Sequence, residues 1–138
     1  GGAAEDLMKE ITPVIREVHS LASKDRAIME AGQRAYVSFI RAYKEHELAY
    51  TMMFSSLPFA RLAKGYGLLF FPKMPDLKHF KIVYKPPVKI SARDLKYKDK
   101  NREKQRQKTL QLRRQKNEEE KRAREEAEAE RRKKKRKE

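Results

Sequence analysis

The sequence predicts an all-α protein: a small domain of three or so helices, one of them long, followed by a highly charged tail that is either extended or a single helix. Three observations lead there. Apolar residues in the first half recur at steps of three and four, the repeat of a helix with one buried face. Apolar residues of any kind become sparse beyond residue 95. Charge is unevenly spread: residues 1–94 hold fifteen basic and ten acidic side chains, whereas 95–138 hold twenty and ten. The first part can bury a small core, while the second cannot offset the entropy of ordering a compact fold.

The elements follow in order. Residues 1–10 read as an N-terminal leader, with Gly1-Gly2 as a tag remnant. Thr12-Pro13 reads as a helix start, since Thr caps free backbone N–H groups and Pro suits the first helical position. Val14, Ile15, Val18 and Leu21 then give a short amphipathic helix over about 13–21. Ser23 is the expected cap of a second, long helix running from Lys24 to about Tyr50. Its stripe is Ala27, Ile28, Ala31, Ala35, Phe39, Ala42 and Tyr43, and its charged back holds Arg26, Glu30, Arg34, Arg41 and Glu45. Pro58 restarts a helix whose inner face is Phe59, Leu62 and Ala63, and Gly65 and Gly67 end it. Pro72 and Pro75 impose an extended path on the residues before them. The domain is therefore placed at 11–78, a linker containing Pro86-Pro87 at 79–95, with a short strand expected at Phe80–Tyr84, and the basic tail at 96–138. In that tail Glu118–Arg122, Glu120–Arg124, Glu128–Arg132 and Glu130–Lys134 stand in the favourable i, i+4 order, each pair contributing about 0.2–0.5 kcal/mol to a solvated helix.

A formal net charge of +15 favours a polyanionic partner, with nucleic acid first and anionic membrane second. No run approaches the length of a membrane span, so no membrane partner is expected. The absence of Cys excludes disulfides, a thiolate nucleophile and Cys-based zinc sites. His19, His46 and His79 are scattered, and His46 between Glu45 and Glu47 cannot share an ion with both, because adjacent helical residues point apart. There is no GxxxxGK[ST] loop, and Gly65-Tyr66-Gly67 lacks the third Gly and the strand of a dinucleotide site. Neither a catalytic residue nor a metal, cofactor or small-molecule substrate is expected of this chain.

Binding chemistry is better represented. Arg34, Arg41, Lys44, Arg61, Lys64 and Lys73 cluster along the second and third helices, and antiparallel packing would bring them to one face for phosphate contact. Tyr36, Tyr43 and Tyr66 lie among them and are candidates for stacking on unpaired bases. The pattern fits equally well a core of tyrosines with a solvated cationic rim. In the tail Lys96, Lys98, Lys100, Arg102, Lys104, Arg106 and Lys108 fall on every second residue, so a helix there is positive nearly all round. Arg131–Lys137 is an unbroken basic run suited to nuclear import or non-specific RNA contact. The alternative is a charged solubilising tail.

Four stretches carry a resemblance. Residues 35–46 (AYVSFIRAYKEH) resemble the AFVSYxRAYxxH stretch of the C-terminal extension in a branch of DEAD-box RNA helicases. Residues 57–69 (LPFARLAKGYGLL) are similar to the next motif of that extension, and 71–77 (FPKMPDL) to its closing LPKMPEL. Residues 97–108 (YKDKNREKQRQK) resemble the FKDKxREKQRQK tail of the nucleolar subgroup that acts on precursors of the large ribosomal subunit. The resemblance spans about 11–108. Pro58 stands where the family usually has an acid, and Lys64 replaces an Arg, which loses the bidentate fork.

The resemblance implies a small helical domain packed on the second RecA-like domain of a helicase, with phosphate loop, D-E-A-D acids and arginine finger in a core outside this chain. ATP and Mg would belong to that core. It implies nucleolar or nuclear pre-ribosomal RNA as a partner, along with large-subunit assembly factors or ribosomal proteins. Arg41, Lys44, Arg61, Lys64, Lys73, Lys98, Lys100, Arg102, Lys104, Arg106 and Lys108 become RNA-facing candidates, with Tyr43 and Tyr66 for base stacking. Phe39, Phe59, Leu62, Leu68 and Met74 become core, and an apolar patch on 11–21 is expected to be exposed when the core is absent. The alternative function is a docking module on the helicase core or a ribosomal protein, with RNA contact through the tail non-specific.

Overall fold

The computed structural model describes residues 2–46, 50–51 and 53–136. Among these residues four helices occur in order: α1 (Gly2–Lys24), α2 (Arg26–Lys44), α3 (Phe59–Gly65) and α4 (Lys100–Lys135). Single 3-10 turns lie at Phe54–Ser56 and Pro75–Leu77, and there is no strand among the described residues. The all-α class holds. The chain divides into two compact units, Gly1–Lys98 and Asp99–Glu138.

Helix α1 begins well before Thr12 and runs through Pro13. Residues 2–10 are helical, not a leader, because Ala3, Ala4, Leu7, Met8 and Lys9 are strong helix formers and Glu5 in the first turn meets the helix dipole. Thr12 is not a cap. Its hydroxyl donates to the Met8 carbonyl at 2.6 Å, one turn back, beside the Lys9 carbonyl that Pro13 deprives of a donor. Nor does Ser23 cap α2, since its hydroxyl donates to Ser20 O at 2.7 Å. The cap is Asp25, whose side chain accepts from Ala27 N at 3.0 Å. The expected extension of α2 towards Tyr50 ends at Lys44, with Glu45 closing the last turn, and residues 47–49 lie outside the described region.

Two apolar clusters hold the first unit. The larger is Tyr36 and Ile40 of α2 with Phe59 and Ala63 of α3, closed by Leu68, Met74 and Leu77. Phe39 and Leu62, expected in the core, are half-buried and pack against it. The second cluster is Ala22, Met29, Leu69 and Leu95. Two glycines permit this packing. A Cβ on Gly32 would stand 2.8 Å from Tyr66 O, where α2 crosses the end of α3. Gly67 has φ +70°, and a Cβ there would stand 2.5 Å from Val18 Cγ1, so this left-handed turn seats α1.

Residues 79–95 are not a linker. From 80 to 90 they alternate strictly, with even-numbered residues half-buried and odd-numbered ones exposed. Phe80, Ile82 and Tyr84 pack on the larger cluster, and Val88 and Ile90 on the second. The strand expected at Phe80–Tyr84 is instead an extended segment laid on helices, with no neighbouring strand among the described residues to form a ladder. Tyr84 donates to the Leu68 carbonyl and lies 3.5 Å from Nε2 of His19, whose Nδ1 is 2.7 Å from Ile15 O. His19 is thus a wholly buried packing residue. Leu95 is 1% exposed, which moves the end of the folded unit past the expected boundary.

Candidate nucleic-acid interface

The first unit ends in a polar clamp. Arg26 N donates to Lys96 O at 2.9 Å, and its guanidinium donates to Ala92 O at 2.9 Å and Leu95 O at 3.2 Å. The same guanidinium pairs with Glu30 at 3.0 Å and lies over the Tyr97 ring at 6.0 Å from its centroid. Tyr97 donates to Glu30 at 2.8 Å, and Asp25 accepts from Lys98 N at 3.2 Å. The sequence pattern placed Arg26 and Glu30 on a solvated back. A carboxylate one turn after an arginine was the available signal, but what it fastens is distant in sequence. Lys98, a candidate RNA ligand, is fixed here on the first unit.

Arg41 and Lys44 come together, but on a carboxylate. Arg41 Nε lies 3.8 Å and Lys44 Nζ 2.9 Å from Asp76 in the Pro75–Leu77 turn. The hydrogen bond from Lys44 holds the Asp76 carboxyl below its usual range, with the charges of Lys44 and Arg41 acting in the same direction. Two of the candidate phosphate ligands are therefore partly neutralised. Arg61 and Lys64 lie one turn apart on α3, exposed, with no carboxylate within ion-pairing distance among the described residues. Arg34 and Lys73 likewise have no carboxylate partner among the described residues. Arg41 and Lys44 thus form an Asp76-bound pair, and Arg34 shares one hollow on α2 with Arg41.

The tyrosines divide as well. Tyr36 is wholly buried and donates to Phe59 O at 3.0 Å, so it is core and not a stacking platform. Burial pushes the phenols of Tyr36 and Tyr84 up to about 12, and both remain neutral donors. Tyr66 is half-buried, edge-on to Tyr36 at 5.8 Å and tilted against Phe39 at 6.0 Å. Tyr43 is half-buried against Phe39 at 5.9 Å.

Helix α4 is 36 residues long and has no buried residue. Asp99 caps it, accepting from Arg102 N at 2.8 Å. Lys100, Lys104 and Lys108 stand at i, i+4, i+8 on one exposed face, without a carboxylate partner among the described residues. Arg106 pairs with Glu103 at 2.8 Å. Arg102 lies in the first turn, next to the cap. Arg113, Arg114 and Lys116, which break the every-second-residue spacing and so were not singled out by it, extend the basic stretch. Of the four expected i, i+4 pairs Glu128–Arg132 forms at 2.5 Å. Glu118–Arg122, Glu120–Arg124 and Glu130–Lys134 are not closed, and Lys116–Glu120 at 3.9 Å and Lys121–Glu125 at 3.8 Å form instead. Glu120 meets Lys116 rather than Arg124, and the fully solvated side chains have several partners of nearly equal energy.

Among the described residues no group of His, Asp and Glu could hold a metal ion, and no helix is long and apolar enough to cross a membrane.

The first unit is helical, with a turn system at 57–77, and a long basic helix follows it in sequence. Residues 25–74 match the family model described as the C-terminal extension of SPB4-like ATP-dependent rRNA helicases. Over these residues the chain is similar to the C-terminal extensions of such helicases. It is 44% identical over 93 residues to DEAD-box ATP-dependent RNA helicase 49 of Arabidopsis thaliana, covering 65% of this chain and 16% of that protein. It is 38% identical over 91 residues to ATP-dependent RNA helicase DDX55 of Gallus gallus, covering 66% of this chain and 15% of that protein. The chain thus matches about one sixth of the length of these relatives, and the matched family segment is the extension and not the helicase core.

Proposed function

We propose that this chain is the RNA-binding C-terminal region of an ATP-dependent RNA helicase that acts in ribosome biogenesis, in rRNA processing and large-subunit assembly. In this reading it works in the nucleolus and tethers the helicase core to pre-ribosomal RNA. ATP and Mg are used by the core, and none of the residues described above takes part in hydrolysis. The observation that carries the reading is the start of α4, where Lys100, Lys104 and Lys108 line one solvent-facing side with no carboxylate among the described residues to neutralise them. Phosphates are the natural partner of such a row, and displaced counterions supply the affinity. Tethering raises the effective concentration of the core at its substrate.

Charge along α4 is segmented. Residues 100–116 carry net +7, 117–130 net −4 and 131–136 net +6. At a rise of 1.5 Å per residue the centres of the two basic segments are about 38 Å apart along the helix. The helix therefore offers phosphates two separate cationic ends. The partly neutralised Arg41–Lys44–Asp76 group has a minor share, and Arg34, Lys73 and Lys98 supplement the tail.

The test is RNA affinity of the full chain across a salt series, with Lys100, Lys104 and Lys108 all changed to Gln. The expected result is a salt slope shallower by about 2–3, roughly one unit for each phosphate that is no longer neutralised. An unchanged slope removes α4 as the tether.

A second reading is favoured by α1. Leu7, Ile11, Val14 and Leu21 are 36–59% exposed and recur along the helix at steps of four, three and seven. This widens the apolar patch expected on 11–21 and suits docking on the RecA-like core or a ribosomal protein.

A further inference from the structure

Between α1 and α3 lies an open groove of about 700 Å³, lined by Ala4, Leu7, Met8, Thr12, Ile15 and Arg16 of α1, by Arg61 and Lys64 of α3, and by Pro87. Its floor is aliphatic, and Leu7 and Met8 are 55% and 59% exposed. Its rim is cationic. Arg16 comes from one wall, while Arg61 and Lys64, at i and i+3, come from the other. None of the three has a carboxylate within ion-pairing distance among the described residues, and no acidic residue lines the groove. The asymmetry is local: the neighbouring hollow along α1 contains Glu5 beside Lys9.

From this arrangement we infer that the groove is a docking site for an acidic amphipathic segment of a partner protein. The segment lays aliphatic or aromatic side chains on Leu7, Met8 and Ile15 and sets its carboxylates against Arg16, Arg61 and Lys64. Charge complementarity selects the sign of the partner, and the floor selects its class. RNA is the poorer fit. Single-stranded RNA is held by aromatic platforms on which bases stack, and no lining residue is aromatic. A phosphate backbone would leave Leu7 and Met8 facing a polar ligand with no gain from covering them. Met8, unbranched and polarizable, suits a floor that adapts to its ligand. The inference does not depend on RNA binding by α4, and it uses cations that α4 does not contain.

The test is fluorescence anisotropy of the full chain with a labelled synthetic helix of about 14 residues, with Leu at i, i+3, i+4, i+7 and Glu elsewhere. A poly-glutamate peptide of equal charge measures the non-specific share of the basic tail. Two double variants are compared, Arg61→Glu with Lys64→Glu, and Leu7→Ser with Met8→Ser. All four positions are solvent-exposed, and circular dichroism verifies that helix content is retained. The expected result is that the amphipathic peptide binds at least tenfold tighter than poly-glutamate, that each double variant removes that margin, and that Leu7→Ser with Met8→Ser changes RNA affinity less than twofold. Equal binding of the two peptides overturns the inference, as does a margin that survives both variants. If the Arg61→Glu, Lys64→Glu variant weakens RNA tenfold and leaves peptide binding unchanged, the cations are phosphate ligands and the inference also fails.

Discussion

The two units of this chain are held by opposite means. In the first, Tyr36, Ile40, Leu68, Leu69 and Leu95 are all within 1% of full burial. Charges there are tied into fixed positions, with Arg26 on three backbone carbonyls and a carboxylate, and Asp76 between two cations. In α4 nothing is buried, and the helix rests on its Asp99 cap and on local ion pairs. The difference shows how a strongly basic chain assigns its charge. Cations of the folded unit are partly consumed in building it, whereas Lys100, Lys104 and Lys108 of α4 have no carboxylate partner among the described residues and remain available to a ligand. Each substitution or solvent change should therefore act on one unit and spare the other.

The largest expected effect lies in the core. Leu68 is fully buried between α2 and α3, and Leu68→Ala should destabilise the first unit by about 2–5 kcal/mol. Thermal unfolding followed by tyrosine fluorescence, which reports the first unit, should shift to markedly lower temperature. The helical signal of α4, followed by exchange at 100–135, should not change. Parallel loss of both would mean that α4 draws its stability from the first unit, and the contrast would fail.

Next is Gly67→Ala. The left-handed φ of +70° disfavours an L side chain, and the added Cβ would press on Val18. We expect a cost of about 1–3 kcal/mol, between backbone strain and a tight overpacking contact. Val18→Ala in the same chain should recover part of it, because the clash and the strain are separable. No recovery would show that strain alone matters.

These two residues illustrate what was legible in the sequence. The helix end at Gly65 and Gly67 was readable from composition, and so was the inner face of α3, since both depend on neighbours a few positions away. The role of Gly67 against Val18 depends on α1, nearly fifty residues earlier, and no local pattern reports it. The extended character of 80–84 was read as a short strand inside a linker, but a paired strand and an extended segment on a helical surface look alike locally, and only tertiary packing distinguishes them. The site was legible in part for the same reason. The exposure of Lys100, Lys104 and Lys108 was legible because a solvated helix presents what its sequence lists. Arg41 and Lys44 were found as cations, but Asp76, which holds them, lies some thirty residues on. The groove of Arg16, Arg61 and Lys64 needed two helices to meet.

A smaller effect is expected from salt. The pairs Lys116–Glu120, Lys121–Glu125 and Glu128–Arg132 are exposed, and each contributes about 0.3–0.5 kcal/mol at low ionic strength. Raising salt to about 1 M, where the screening length falls to about 3 Å, should lower the helicity of α4 and leave the first unit unchanged. Helicity that holds at high salt would require another source of stability for α4.

The smallest effect, and the sharpest for the binding comparison, is expected from Asp76→Asn. The substitution releases Lys44 and Arg41 from a carboxylate that they hold in its charged form. If the folded unit contributes only weakly to RNA binding because its cations are engaged, the variant should bind RNA a few-fold tighter, with a salt slope steeper by about one unit, the equivalent of one further phosphate. The pH dependence has a definite sign. The folded pKa of Asp76 lies below its unfolded value, so its contribution to stability is complete above about pH 4 and is lost as pH falls through the depressed folded value. The wild-type chain should therefore lose a small increment of stability in that acidic window, and Asp76→Asn should lack this increment while following the same curve at neutral pH. A variant with unchanged RNA affinity and slope would place the RNA site wholly on α4, and the folded unit would then serve protein docking alone.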